Sequence, residues 1–523
     1  MNEEFSARTR TANLEAMARE PVDVLVIGGG IVGAWTALTA ALRGHRTALV
    51  EKGDFASGTS GKTSRLIHGG LRYLQQLRIG LVRTATRERN LLLRIAPDLV
   101  RPLTFLIPVY RDRGPRGWQL RFGLWLYDAV SKDRALPRRR WLTREEALAM
   151  EPGLAREGLV RAATYADAIT RDARLVISVI QKASGFGALV ANYARVLGLT
   201  REAGQVVGAR IRDEETGGQR DIRANVVVNA TGVWVGDLQM ASKRVRLRPT
   251  KGIHVLVPQS RTGVRKAITL PTKDRRIVFV LPWGDLSLIG TTDTDYSGDR
   301  DRVEVDREDI DYLLEAVNAG FPGARLIRED VVSAYAGLRP LIDTGQAKES
   351  DISRKHRILT DPDGLISVAG GKLTTARSMA EAILSRVETV TLARAYRGAS
   401  VEASEKAAIY RTALTKGSPL FWSGDSKAIE LAASRPVESN GDLAAAARRG
   451  AKYEMAIHLD DVLVRRTGLF YELADQGAKI APTVVDAMGA ELGWDAERRA
   501  SELERFRRIL GANRRWREAG REG

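Results

Sequence analysis

The chain has 523 residues, of which 44% are hydrophobic and 28% charged, an ordinary balance for a soluble globular protein with room for two or three domains. It contains no cysteine, which excludes disulfides, thiol nucleophiles, iron–sulfur clusters and thiolate zinc sites; His45, His68, His254, His356 and His458 are too scattered for a histidine-rich centre, so no metal is expected. Lysine plus arginine exceed aspartate plus glutamate by 18 (82 against 64), a bias toward anionic partners: nucleic acid, anionic lipid or phosphorylated metabolites.

Residues 1–20 mix acids and bases without an apolar run, so they read as a mobile extension or a short surface helix rather than a signal peptide. Val24 to Leu42 carries no charge and is near the length needed to cross a bilayer, but glycines at 28–30 and 33 interrupt it. The better reading is a strand Val22–Ile27, a glycine turn, a helix from about Ile31 to Arg43 and a strand Thr47–Val50. Gly28, Gly30 and Gly33 fit the G-x-G-x-x-G dinucleotide pattern: the first permits the tight turn, the second lets backbone approach a pyrophosphate, and the third lets helix pack on strand. The helix N-terminus favours the phosphates, and Glu51 closes the second strand where an acid bonds ribose hydroxyls.

Further on, "GKTSRLIHGGLRYL" (Gly61–Leu74) ends a short strand at His68-Gly69-Gly70, glycines that let backbone run flush with a flat ligand. Arg111–Trp141 holds nine Lys/Arg against three Asp/Glu, interleaved with Trp118, Phe122, Trp125, Tyr127 and Trp141. That pattern fits a helix lying in a lipid interface, or equally one packed into the protein with its arginines in water. "VVVNATGVWVGDL" (Val226–Leu238) is an apolar strand ending in Ala230-Thr231-Gly232. His254 follows Lys251-Gly252 at the start of an apolar strand, a pocket wall. "GLISVAGGKLTTARSMAEAIL" (Gly364–Leu384) repeats the strand, Gly370-Gly371 turn and helix arrangement. A strand–glycine–helix unit at each end, with Ala-Thr-Gly between, is the layout of FAD oxidoreductases. From about Leu392 the pattern turns helical, and "NRRWREAGREG" at the end reads as frayed.

Together, "GTSGKTSRLIHGGLRYL" (Gly58–Leu74), "DARLV" (Asp172–Val176), "NATGVWV" (Asn229–Val235), "KGIHVLVP" (Lys251–Pro258), "RRIVFVLPWGDLSLIGTTDTDYSGD" (Arg275–Asp299), "AGLRPL" (Ala336–Leu341), "GGKLTTAR" (Gly370–Arg377) and "DDVLVRRTGL" (Asp460–Leu469) resemble FAD-dependent, quinone-linked glycerol-3-phosphate dehydrogenases. The chain departs from the family's usual pattern in the first helix ("AWTALTAALRG", including Thr39), and at Arg65, Val233 and Ala376. The resemblance implies an α/β + α fold: an FAD-binding Rossmann-like, amino-acid-oxidase-like domain (21–100, 159–247 and 354–391) interleaved with a β-rich substrate or cap domain (101–158 and 248–353), then a C-terminal helical domain (392–523). It extends the FAD site from Gly28, Gly30, Gly33 and Glu51 to Ile31, Lys52, Thr59, Ser60, Thr63, Ser64, His68, Gly69, Gly70, Leu71, Val196, Ala230, Thr231, Gly232, Trp234, Gly371, Lys372, Leu373 and Thr374.

Oxidising a secondary alcohol on a flavin needs a positioned C–H, a proton acceptor and an anchor for the remote phosphate. His68 and His254 are rival acceptors, and an arginine or the flavin could instead stabilise the alkoxide. Arg339 is carried into the catalytic set, and with Arg72, Tyr73, Arg354 and Lys372 it lines the substrate pocket, since arginine's fork matches phosphate oxygens. The expected reaction is oxidation of sn-glycerol 3-phosphate to dihydroxyacetone phosphate, with electrons passed to a membrane quinone. The expected place is the inner face of the cell membrane, against anionic lipid and without nucleic acid; a homodimer is left open. Two alternatives stand beside it: an oxygen-using glycerol-3-phosphate oxidase or related amino-acid-oxidase-like flavoenzyme, and an RNA-binding or RNA-modifying flavoprotein supported by charge alone.

Overall fold

A computed structural model describes residues 4–74, 78–112, 114, 117–131, 136–239, 245–272, 274, 276–343, 356–395 and 440–518. Two sheets organise them. In the first, strand Val22–Ile27 lies between Thr47–Val50 and Gln219–Asn229, all parallel, with Leu189–Ala191 beyond one neighbour and Ile366–Ala369 beyond the other. Val24, Leu25, Val26 and the whole of Thr47–Val50 are buried, as expected for a parallel sheet covered on both faces. The helix Ile31–Leu42 packs between helices Asp172–Gly185 and Ala376–Ala395. An antiparallel ribbon, Ala194–Glu202 and Gln205–Asp213, extends from the long strand Gln219–Asn229.

The second sheet is largely antiparallel. Strand Thr250–Pro258 pairs with Leu286–Gly290 on one side and Ser333–Arg339 on the other. Ile277–Trp283 and Ala267–Pro271 continue it to Val100–Tyr110, Leu159–Thr170 and Leu66–Ile67. Strand Leu159–Thr170, which the sequence reading grouped with the nucleotide-binding segments, thus lies in the second sheet; eleven residues of register with Val100–Tyr110 hold it there. Leu66–Ile67 joins the same sheet, so the His68 turn sits where one sheet hands over to the other.

Of the two readings of the N-terminal residues, the short helix holds, and it is docked rather than loose. Residues Ala7–Arg19 form a capped helix whose Leu14 and Met17 are fully buried, while buried Arg10 bonds the carbonyls of Asn192 and Tyr193 and the Asp213 carboxylate. One apolar stripe on an otherwise charged helix is enough to dock it. At the other end, helix Ala496–Glu518 covers the first part of the segment read as frayed, where Trp516 buries itself in the core of the second sheet; residues 519–523 lie outside the described residues. The other described C-terminal elements are helices joined by turns, led by Asn440–Tyr453 and Ala481–Leu492, which pack on each other.

Candidate active site

Between the two sheets opens a cavity of about 1180 Å³. Its nucleotide end is built from omitted side chains. Gly28 has φ +112°, and a Cβ there would meet the Ala230 carbonyl oxygen at 2.6 Å; one on Gly33 would meet the Gly28 oxygen at 1.9 Å. Gly33 therefore lies beneath the turn rather than in the cavity wall. Glu51 accepts the Gly29 N–H at 2.7 Å and the Gly53 N–H at 3.0 Å, so it ties the turn to the end of the second strand; its burial raises its pKa against those hydrogen bonds. Ser60 accepts the Ile31 N–H at 3.0 Å. Lys52 pairs with Asp301 and lies 3.8 Å over the Trp234 ring. Trp234 lines the cavity, and its buried Nε1 has no protein acceptor among the described residues.

The same cavity is lined by Gly30, Thr59, Thr63, Ser64, His68, Gly70, Leu71, Tyr73, Val196, Thr231, Gly232, His254, Arg339, Gly371, Lys372, Leu373 and Thr374. Gly69 lies behind the wall: its N–H donates to Tyr127 Oη and Asp167 Oδ1, and buried Arg89 bonds both. Of the expected phosphate ligands, Arg354 and the side chain of Arg72 lie outside the described residues. Lys372 is described, with Nζ 3.5 Å over the Tyr73 ring.

The two histidines stand differently. His68 is half-buried at the cavity, its N–H bonded to Thr374 Oγ1 at 3.2 Å. His254 is 3% exposed, with Nε2 2.8 Å from Ser64 Oγ and its ring stacked on Tyr335. The Tyr335 hydroxyl donates to the Thr63 carbonyl, which fixes the ring from below. Burial, reinforced by the Arg339 and Arg65 charges, holds the His254 pKa well below 6.5, so it is a free base at neutral pH. Arg339 is pinned beside it: Nη1 donates to Asp293 at 3.0 Å, and Nη2 to Thr291 Oγ1 and the Thr292 carbonyl. Gly252 makes room for this, since a Cβ there would lie 2.4 Å from Arg339 Nη2.

Comparison with known proteins bears on what this cavity serves. The family described as FAD dependent oxidoreductase matches residues 23–386, and the C-terminal domain of alpha-glycerophosphate oxidase matches residues 405–499. A Mycobacterium leprae glycerol-3-phosphate dehydrogenase is 38% identical, across 93% of this chain and 88% of that protein. The chain belongs to the FAD-dependent glycerol-3-phosphate dehydrogenase and oxidase family. An alpha-glycerophosphate oxidase of Streptococcus pneumoniae is 32% identical over 95% of this chain and 97% of its own length. The crystal structure of a Bacillus halodurans glycerol-3-phosphate dehydrogenase complexed with FAD superposes with a TM-score of 0.75 at 29% identity, covering 97% of this chain and 98% of that one. FAD fits the residues present here: Gly28 and Gly33 leave no room for a Cβ, so the turn keeps its backbone close, and the buried Trp234 Nε1 is a donor with no protein acceptor among the described residues.

The family membership also locates the departures. Arg65, at φ +58°, is buried over the Trp283 ring at 4.1 Å; Val233 is buried and its carbonyl accepts from Arg300; Ala376 is fully buried at a helix start. Thr39 is buried and bonds back to the Trp35 carbonyl. None of these four lines the cavity. Tyr335, Thr291 and Asp293 are the supporting residues that no role was read for in the sequence. The last two lie inside the quoted "GTTDTD", but only the fold brings them to Arg339.

Proposed function

We propose that the protein oxidises sn-glycerol 3-phosphate to dihydroxyacetone phosphate and delivers the electrons to a membrane quinone. The observation that supports this most is a neutral His254 beside Arg339, with Lys372 lining the same FAD-family cavity. When bound, FAD supplies the two-electron acceptor for the carbinol hydride. Arg339 and Lys372 hold the substrate phosphate, and the Asp293 clamp fixes the guanidinium's direction before substrate arrives. The hydroxyl proton passes by way of Ser64 Oγ to His254 Nε2. Accepting it there requires the tautomer with hydrogen on Nδ1. His68, whose backbone N–H donates to Thr374 Oγ1, lines the same cavity, and its ring is assigned to orienting the substrate in this proposal.

Quinone is favoured over oxygen by the helix Gly117–Ser131. Its Leu120 lines the cavity together with Ile107 and Phe279, while Trp118, Phe122 and Trp125 are 67%, 57% and 52% exposed. Large exposed aromatics on one helix suit the interface of a bilayer, from which an apolar acceptor could approach. No helix among the described residues is long and apolar enough to cross a membrane, so attachment is proposed as peripheral, at the cytoplasmic face. The test is to reduce the protein anaerobically with sn-glycerol 3-phosphate and then mix it with a soluble quinone analogue or with oxygenated buffer. Faster reoxidation by quinone is expected; faster reoxidation by oxygen, with stoichiometric peroxide, would assign the oxidase reading suggested by the streptococcal relative's name.

A further inference from the structure

The segment Asp460–Leu469, "DDVLVRRTGL", has no part in the chemistry above, yet it makes a buried charge cluster with Asp54 near the cofactor end. Asp461–Arg466 forms a π-helical turn, a geometry that recurs at functional sites. It aims two consecutive arginines at one carboxylate. Arg465 Nε and Arg466 Nη1 both donate to Asp54 Oδ2, and Arg466 Nη2 donates to Oδ1 at 2.9 Å. Asn192 Nδ2 adds a bond to the same Oδ1 at 3.1 Å. Burial opposes charge on Asp54, but the Arg466 and Arg465 guanidiniums outweigh it and hold the carboxyl ionised. Arg465 is shared with Asp460 and Asp461, and Tyr193 donates to Asp461 at 2.6 Å, so the turn itself is fixed.

Asp54 lies in the stretch that shapes the nucleotide turn. Glu51 holds Gly29 and Gly53, the Ala56 N–H bonds the Gly29 carbonyl at 3.1 Å, and the Phe55 ring lies 2.8 Å from where a Gly29 Cβ would be. Residues 51–56 are therefore gripped from the front by the glycine turn and from behind by the C-terminal helical unit. We infer that Arg465 and Arg466 are positioning residues of the FAD site, and that FAD binding and docking of residues 460–469 onto Asp54 strengthen one another. Such coupling is reciprocal by necessity: a clamp that improves cofactor affinity must itself be tightened by the cofactor.

Reciprocity gives a test on the full-length, unaltered chain. Hydrogen exchange is measured across residues 460–469 in apoprotein and after reconstitution with FAD; added protection is expected although none of these residues lines the cavity. In parallel, FAD titration of apo-Arg465→Gln is expected to show about 5- to 150-fold weaker binding, the usual range of such coupling. The rise in melting temperature on adding FAD should shrink in that variant, whereas a merely structural role would lower apo and holo forms alike. Should Arg465→Gln fail to fold, Arg465→Lys keeps the charge and removes the fork. Exchange in 460–469 indifferent to FAD, or affinity within twofold of the parent in a folded variant, would overturn the inference.

Discussion

The two ends of the cavity are built by opposite means. The nucleotide end is shaped by what is missing, since Gly28 and Gly33 admit no Cβ: backbone at Ala230 and at Gly28 itself fills the space. The end proposed for substrate is shaped by side chains, with His254, Ser64, Tyr335, Arg339 and Asp293 drawn from two strands and two loops. Backbone contact leaves no room for partial success, whereas a charged wall can be weakened by degrees and by pH. Damage to the first end should remove the cofactor; damage to the second should leave a flavoprotein that works badly.

The largest effect is expected at Gly33. With the Gly28 oxygen 1.9 Å from the added carbon, Gly33→Ala must separate helix from strand, an overpacking cost of about 1–3 kcal/mol or more. We expect protein purified without flavin absorbance. A Gly33→Ala protein that retains FAD at parental affinity would break the contrast outright. At the other end, His254→Asn should keep its FAD and lose about 10²–10⁴-fold in the rate of flavin reduction, the range for a general base. Stopped-flow absorbance would read this, and His68→Asn in the same assay should lose less.

The pH sign sharpens the point. Because burial and the two arginines depress the His254 pKa, the reduction rate should stay level as pH falls through 6.5 and drop only below it. An acid limb centred at or above 6.5 would assign the proton to another group. A smaller loss is expected for Arg339→Ala: on the proposed role, removing its contact to the substrate phosphate costs about 2–4 kcal/mol, roughly thirty- to thousandfold in kcat/KM. Unphosphorylated glycerol should show much less difference between variant and parent.

The smallest effect lies outside both ends and concerns stability. His458 bridges Glu215 and Glu502 at 2.9 and 2.8 Å. Burial opposes its charge, but those hydrogen bonds push its pKa up to about 9, from 6.5. The bridge is thus fully present below pH 6.5 and is lost as pH rises through about 9. The parent should lose about 1–3 kcal/mol across that window that His458→Gln does not, read by urea unfolding at a series of pH values.

What was legible in the sequence follows the same division. Glycine spacing and apolar runs are local signals, so the strands Val22–Ile27 and Thr47–Val50 and the helix between them match the reading from sequence residue for residue at their starts. The substrate wall is not local. Asp293 meets Arg339 across 46 positions of sequence, and Tyr335 meets His254 through antiparallel pairing that no periodicity reveals. Asp54 and Arg466 lie still further apart, and their meeting depends on how the C-terminal helices pack. The docking of the two terminal helices was not legible for a related reason: Leu14, Met17 and Trp516 each supply a few apolar contacts inside highly charged segments, which composition averages away.

The most direct measurement is an anaerobic absorbance scan of the holoprotein before and after sn-glycerol 3-phosphate is added. Bleaching of the flavin band near ~450 nm by the phosphorylated substrate, and not by glycerol, is the predicted result. A flavin that stays oxidised in its presence would contradict the assignment of this cavity to glycerol 3-phosphate oxidation, while leaving the FAD cradle intact.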